Sequence, residues 1–309
     1  MTDTQNEVIK TPVNKIRLFE HGAPGSQNLK LTRKYYTEDM PDGRVKHIVQ
    51  NITDPDIVPY IPDGIGNSTD RQRIPAVLII PGGAFRRLVY NFEGEDVAKW
   101  LNSMGIAAFV LECRLPSDEH DNAEDVPLID AMRAMRVIRG RAQEFGIDEA
   151  KIGVMGFSAG GFMAALLSTA YESDVYADYK YKDEYDKLSA RPDFAVCSYP
   201  VISIDDCIEA GKRYMSEEQV LERISDSKAK ILHKYNPDKL VRPDMPPVFI
   251  CETDDDRTTL SENSVGFYMA ARKAGVSAEL HIFRTGGHGY GCGDDFAPVS
   301  YTHLRAHET

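Results

Sequence analysis

Three short stretches carry residue types that can do covalent chemistry together: Gly156-Phe157-Ser158-Ala159-Gly160, Thr253-Asp254-Asp255-Asp256-Arg257 and Gly286-Gly287-His288-Gly289. A serine hydroxyl is a weak nucleophile alone. It needs a base to take its proton and an acid to orient the base and stabilise its charged form. The pattern G-x-S-x-G sets the serine on a tight strand-to-helix turn, with glycines where neighbouring segments must approach and helix amides aimed at a reacting carbonyl. Chance produces such a pentapeptide in about one chain in ten of this length. Position is what gives it weight: an apolar strand pattern at 151–155 precedes Ser158 and a helical pattern at 161–171 follows it.

The base belongs on a loop after the last strand, and the acid between serine and base in the chain. His288 follows an apolar strand pattern at 278–283, and its flanking glycines leave room for the ring to reach across. His281 lies inside that strand and reads as structural, whereas His21, His47, His120 and His233 stand in polar segments without partners. The acid comes from Asp254, Asp255 or Asp256, at the end of a strand at 248–251, and the residues alone leave the choice open. Charge that develops on a carbonyl oxygen needs amides placed beforehand. The turn Pro81-Gly82-Gly83-Ala84-Phe85 follows the strand at 76–80, so the amides of Gly83 or Ala84, with that of Ala159, are the candidate oxyanion donors. This chemistry requires neither a metal nor an organic cofactor.

These residues must be held by a particular kind of scaffold. Short apolar runs at 76–80, 106–111, 151–155, 194–199, 248–251 and 278–283 alternate with helical patterns near 94–104, 125–145, 161–171 and 261–274. That alternation predicts an α/β fold, a mainly parallel central sheet flanked by helices. The helix at 125–145 carries an apolar stripe with arginines opposite. In the first 75 residues, 15–19, 45–48 and 57–61 read as antiparallel edge strands separated by turn residues. No linker interrupts the pattern, so 1–298 reads as one domain. It has a polar, tyrosine-rich excursion at 171–191 and a small helical insertion at about 204–244.

Composition narrows the function. At 309 residues, with 42% hydrophobic and 27% charged residues, the chain has enough apolar content for a sizeable core. A net charge of −12 argues against a nucleic-acid partner. No apolar run is long enough for a membrane span, and the first residues lack a secretory pattern, which makes a cytoplasmic location the expectation. The five cysteines are widely spaced, without a C-x-x-C pair, and read as buried thiols in a reducing compartment.

The chain resembles the acetyl-xylan-esterase-like branch of the α/β-hydrolases. The resemblance spans most of residues 50–292 and includes Pro81-Gly82-Gly83, Glu93-Gly94-Glu95, residues 100–111, Gly156 to Gly161, residues 189–194, Tyr199-Pro200-Val201-Ile202 and Gly286 to Gly289. It implies the α/β-hydrolase fold and a triad of Ser158, Asp256 and His288, with Asp255 as the second-choice acid. Two positions depart from the family pattern. Thr258-Thr259-Leu260 replaces an apolar pair and proline, and Ala84 stands where a third glycine is common. The activity implied is hydrolysis of a short acyl ester, acetyl foremost, on a sugar or xylo-oligosaccharide. A serine peptidase or amidase on the same triad is a second reading, and a non-catalytic binding module or inactive truncated hydrolase is a third. The tyrosines at 171, 176, 179, 181 and 185 read as a solvated excursion or a contact in a homo-oligomer, ahead of a sugar-facing surface.

The last stretch, 299–309, resembles a translated sequencing adapter, so the natural sequence is expected to run to about Pro298 with its true continuation missing. The His303/His307 pair in it is therefore not read as a metal site. On the same expectation the final helix of the fold is missing and apolar sheet surface is left bare, which would destabilise the chain.

Overall fold

The computed structural model describes residues 14–41, 43–64, 73–213, 216, 218–220 and 226–292. The tail at 299–309 and any helix leading into it lie outside these residues. Among the described residues eleven strands follow one another from β1 (Ile16–Arg17) to β11 (Ala278–Phe283). The central sheet has the order β1-β4-β7-β5-β8-β9-β10-β11. Six strands are mutually parallel: β5 (Ile74–Ile80), β7 (Ala107–Glu112), β8 (Ile147–Phe157), β9 (Ala195–Ser198), β10 (Val248–Thr253) and β11. β7 and β9 are buried along their whole length, which is why they read as unbroken apolar runs instead of alternating ones. β4 (Asp56–Tyr60) pairs antiparallel with both β1 and β7, so it lies within the sheet and not at its edge.

A second sheet, β2-β3-β6, is antiparallel. Its strands are β2 (Lys34–Asp39), β3 (Val45–Gln50) and the two-residue β6 (Leu88–Val89). β6 follows the turn after β5, so this small sheet forms a wall beside that turn.

Five helices concern the layers around the sheet: α1 (Asp96–Ser103), α2 (Val126–Gly140), α3 (Ala142–Phe145), α4 (Ala159–Ala170) and α7 (Ser261–Lys273). α4 is apolar on all sides and buried from Ala159 to Thr169, as expected of a helix covered on every face. It packs on β8 and β9 and against α2. Among its described residues, the insertion at 204–244 includes the helices α5 (Ile204–Lys212) and α6 (Asp226–Lys234). An apolar cavity of about 340 Å3 lies between Trp100 of α1 and the sheet residues Met155, Val196 and Phe249.

The arginines of α2 do not face solvent. Arg133 is buried, donating to the Leu18 carbonyl at 2.9 Å and to Asp183 at 2.7 Å. Arg136 donates to the Leu188 carbonyl and to the Tyr176 hydroxyl, and Arg139 donates to Asp193. A guanidinium fork can satisfy several loop carbonyls at once, so the tyrosine-rich excursion is strapped onto α2. Tyr171 and Tyr176 are buried, and Tyr176 and Tyr179 pack edge-on to Phe19. Only Tyr181 of the five is exposed. The expectation of a solvated excursion is thus corrected for its main aromatics. His120 is corrected too: it is buried, its Nδ1 lies 3.0 Å from the Ser26 hydroxyl, and burial lowers its pKa to about 4.

Another buried ion pair ties the N-terminal segment to the sheet. Arg114 donates to both carboxylate oxygens of Asp130, and to Ser26 Oγ and the Pro24 carbonyl. Both members of the pair are fully buried. Removing one leaves the other as an uncompensated buried charge. Asp130→Ala is therefore expected to lower the unfolding free energy by about 3–5 kcal/mol in urea denaturation. A loss below about 1 kcal/mol, the size expected of an exposed pair, would contradict this account.

Candidate active site

From β5 the chain crosses through α1 to β7 on one side, whereas β8 lies on the other. The order reverses there, and in such sheets the loops at the carboxyl ends of the flanking strands open a crevice. The turn after β5 carries Gly82, Gly83 and Ala84, and the turn after β8 carries Ser158. Loops after β9, β10 and β11 complete the rim with Tyr199, Asp256 and His288.

Ser158 occupies φ 53°, ψ −117°, a conformation that costs an L-residue about 1–3 kcal/mol. Its N–H donates to the Ser198 carbonyl at 3.0 Å, and its own carbonyl accepts from Phe162 and Val201. Both glycines of the motif are demanded by close approach. A Cβ on Gly156 would meet the Gly160 carbonyl oxygen at 2.0 Å, and one on Gly160 would meet the Ile80 oxygen at 2.0 Å.

The structure brings Ser158, His288 and Asp256 into one hydrogen-bonded row. Ser158 Oγ lies 2.9 Å from His288 Nε2, and His288 Nδ1 lies 2.6 Å from Asp256 Oδ2. Asp256 is buried. Its remaining acceptor positions take the amides of Thr258 (2.7 Å) and Thr259 (3.0 Å) and the Thr259 hydroxyl (2.9 Å). Burial pushes its pKa upward, but the hydrogen bonds from His288 and the two amides outweigh that, and the carboxyl titrates below its ordinary value. The two threonines that depart from the family pattern are therefore the donors that hold this acid. Asp255 is exposed and accepts the Gly287 amide at 2.8 Å, bracing the histidine loop instead of facing the ring.

Gly83, Ala84 and Ala159 stand around Ser158. Ala84 has φ 58° and Phe85 φ 61°, so the turn holds two consecutive left-handed residues. The Phe85 ring, buried edge-on against Phe162, anchors it. Among the described residues, the amides of Gly83, Ala84 and Ala159 donate to no protein acceptor.

Sequence reasoning missed the supports beneath this row. Glu93 is buried in a π-helical turn, Asn91–Glu95, that runs into α1. Its Oε2 accepts the Gly82 amide at 2.8 Å and its Oε1 accepts the Tyr199 hydroxyl at 2.9 Å. The Tyr199 oxygen in turn accepts the Gly291 amide at 3.0 Å. The Tyr199 ring meets His288 and Tyr290 edge-on, with centroids 5.1 and 4.5 Å away. One buried Glu–Tyr pair thus joins the turn after β5, the end of β9 and the histidine loop. Burial raises the Glu93 pKa, while nearby His288 and its two hydrogen bonds oppose the shift. The available signal was an acid inside the Glu93-Gly94-Glu95 motif. Glu252, also buried, lies behind Asp256; burial and then the Asp256 charge push its carboxyl up to about 9.

Fold and site together define an α/β-hydrolase with a serine–histidine–aspartate row at the carboxyl ends of its strands. The chain belongs to the BD-FAE family, whose model matches residues 65–270. An acetylxylan esterase of Xylanibacter ruminicola is 31% identical over 223 residues, covering 72% of this chain and 42% of that protein. Endo-1,4-beta-xylanase B of Butyrivibrio fibrisolvens is 31% identical over 227 residues, covering 73% of this chain and 34% of that protein. The aligned part thus amounts to less than half the length of either curated relative. Among solved structures, an acetyl ester-xyloside bifunctional hydrolase from Caldicellulosiruptor lactoaceticus is 34% identical, covering 93% of this chain and 91% of that one, with a TM-score of 0.68.

The raised Glu252 carboxyl has a consequence for stability. Folding increases its proton affinity, so its contribution is complete below its ordinary value of 4.5 and is lost as pH rises through about 9. Glu252→Gln cannot ionise. In urea titrations between about pH 5 and 9, its stability should fall less steeply with pH than that of the wild type. Parallel pH profiles for the two proteins would contradict a neutral buried Glu252.

Proposed function

We propose that the chain is a serine esterase that removes short acyl groups, acetyl foremost, from sugars or xylo-oligosaccharides through an acyl-enzyme. The observation that carries this reading is the Ser158–His288–Asp256 row, with distances of 2.9 and 2.6 Å, on the wall of a cleft of about 460 Å3. Ser158 Oγ attacks the ester carbonyl while His288 Nε2 takes its proton, and Asp256 holds the ring by Nδ1 and stabilises the imidazolium. The oxyanion meets the amides of Gly83 or Ala84 and of Ala159, which are free to donate to it. His288 then protonates the departing alcohol. A water, deprotonated by the same nitrogen, releases the acid and restores the serine.

The acyl and alcohol halves are carried over from relatives named for acetylxylan and acetyl ester–xyloside hydrolysis. A catalytic reading is favoured over a binding module because the base, the acid and the nucleophile are in hydrogen-bonding order. A module without chemistry has no need of that order.

The test is acetate release from acetylated xylo-oligosaccharides, compared with cleavage of aminoacyl amides. Acetate release should dominate, Ser158→Ala should abolish it, and Asp256→Asn should lower kcat on the order of a thousandfold or more. Labelling by a fluorophosphonate should be lost with the same serine. Amide cleavage exceeding acetate release would favour a peptidase, and full activity in Ser158→Ala would overturn the mechanism.

A further inference from the structure

The chain as a whole is acidic, with a net charge of −12, yet the cleft that holds Ser158 and His288 is lined by Arg44, Lys46, Arg86 and Arg87. Among the described lining residues the acidic side chain is Glu93, which is buried, engaged with Gly82 and Tyr199, and within the field of Lys46. Arg87 is neutralised by Glu38 at 2.5 Å, and Arg44 lies over the Phe92 ring. Lys46 stands opposite Glu38 in the β2–β3 register, but Glu38 pairs with Arg87, and neither Lys46 nor Arg86 forms an ion pair among the described residues. Their placement follows from the small antiparallel sheet. Lys46 and Gln50 share one face of β3 by the two-residue period of a strand, and both line the cleft. Gln50 donates to the Arg86 carbonyl at 3.1 Å, which ties that strand to the turn following the oxyanion segment. A cationic mouth on an acidic protein focuses the local field on an anionic ligand that the rest of the surface repels.

We propose that this cleft is a subsite for a carboxylate carried by the ester substrate, with Lys46 and Arg86 as the residues that select it. The inference rests on the esterase reading above and narrows its substrate class. The carboxylate belongs either to the acyl half, as in a hemi-ester of a dicarboxylic acid, or to the sugar half, as in an acetylated oligosaccharide that bears a uronate.

The experiment compares kcat/KM for matched anionic and neutral esters in two arms. One arm uses the p-nitrophenyl hemi-ester of succinate against p-nitrophenyl butyrate. The other uses an acetylated xylo-oligosaccharide with and without a uronate branch. In at least one arm the anionic substrate should be preferred by about tenfold at low salt, with the preference shrinking as ionic strength rises. The anionic-to-neutral ratio should fall toward unity in the Lys46→Gln/Arg86→Gln double variant and be retained in Lys46→Arg/Arg86→Lys. The arm that responds identifies which half carries the charge. If the neutral esters are turned over but neither arm shows a preference, or the double variant keeps it, the subsite is overturned while the esterase reading stands. If no ester in either arm is turned over, the esterase reading itself fails and this inference with it.

Discussion

Everything at this site depends on holding one peptide where an L-residue does not rest. With φ 53° and ψ −117°, Ser158 lifts its hydroxyl out of the strand direction and toward the cleft. Such a backbone persists only if its surroundings over-determine it. Here the constraint comes from both sides. β9 and the residues after it take the Ser158 amide and return an amide to its carbonyl. The glycines at 156 and 160 allow backbone to approach where no Cβ would fit. The all-apolar α4 then locks the turn into the core. Strain of about 1–3 kcal/mol is small beside the burial of such a helix, which is how the core can sustain it.

The same economy of parts links the loops. Five segments from the ends of five strands meet at the cleft, and independently mobile loops would not keep distances of 2.6 and 2.9 Å. Glu93 and Tyr199 supply the connection through three hydrogen bonds among the turn after β5, the end of β9 and the histidine loop. The acid is fixed separately, by two amides and a hydroxyl from its own loop. The side chains of the row are therefore held by backbone and buried polar groups, and in a low-dielectric interior such satisfied networks are rigid.

Much of this was legible in the chain. β7 and β9 announced themselves as unbroken apolar runs because both their faces are covered, and Ser158 and His288 stood out through glycines with a steric purpose. The choice between Asp255 and Asp256 was not legible from the residues, since adjacent aspartates differ only in which way the loop turns them. β2 escaped notice because Lys34–Asp39 is polar and only half buried. The partners of the α2 arginines were not legible, because a helical stripe says which face is apolar, not what will cover the other. Glu93 and Tyr199 were missed for a simpler reason: 106 positions separate them, and no local pattern records a hydrogen bond that only the folded chain creates.

The central claim is that Ser158 Oγ becomes covalently acylated during turnover. Acid-quenching the protein in the steady state with an acetyl ester, followed by mass spectrometry of its peptides, tests that directly. The account predicts the added mass of one acetyl group on the peptide that contains Ser158, localised to that serine and disappearing once the ester is exhausted. Acetate release with the acetyl group trapped on another residue instead of Ser158 would contradict it.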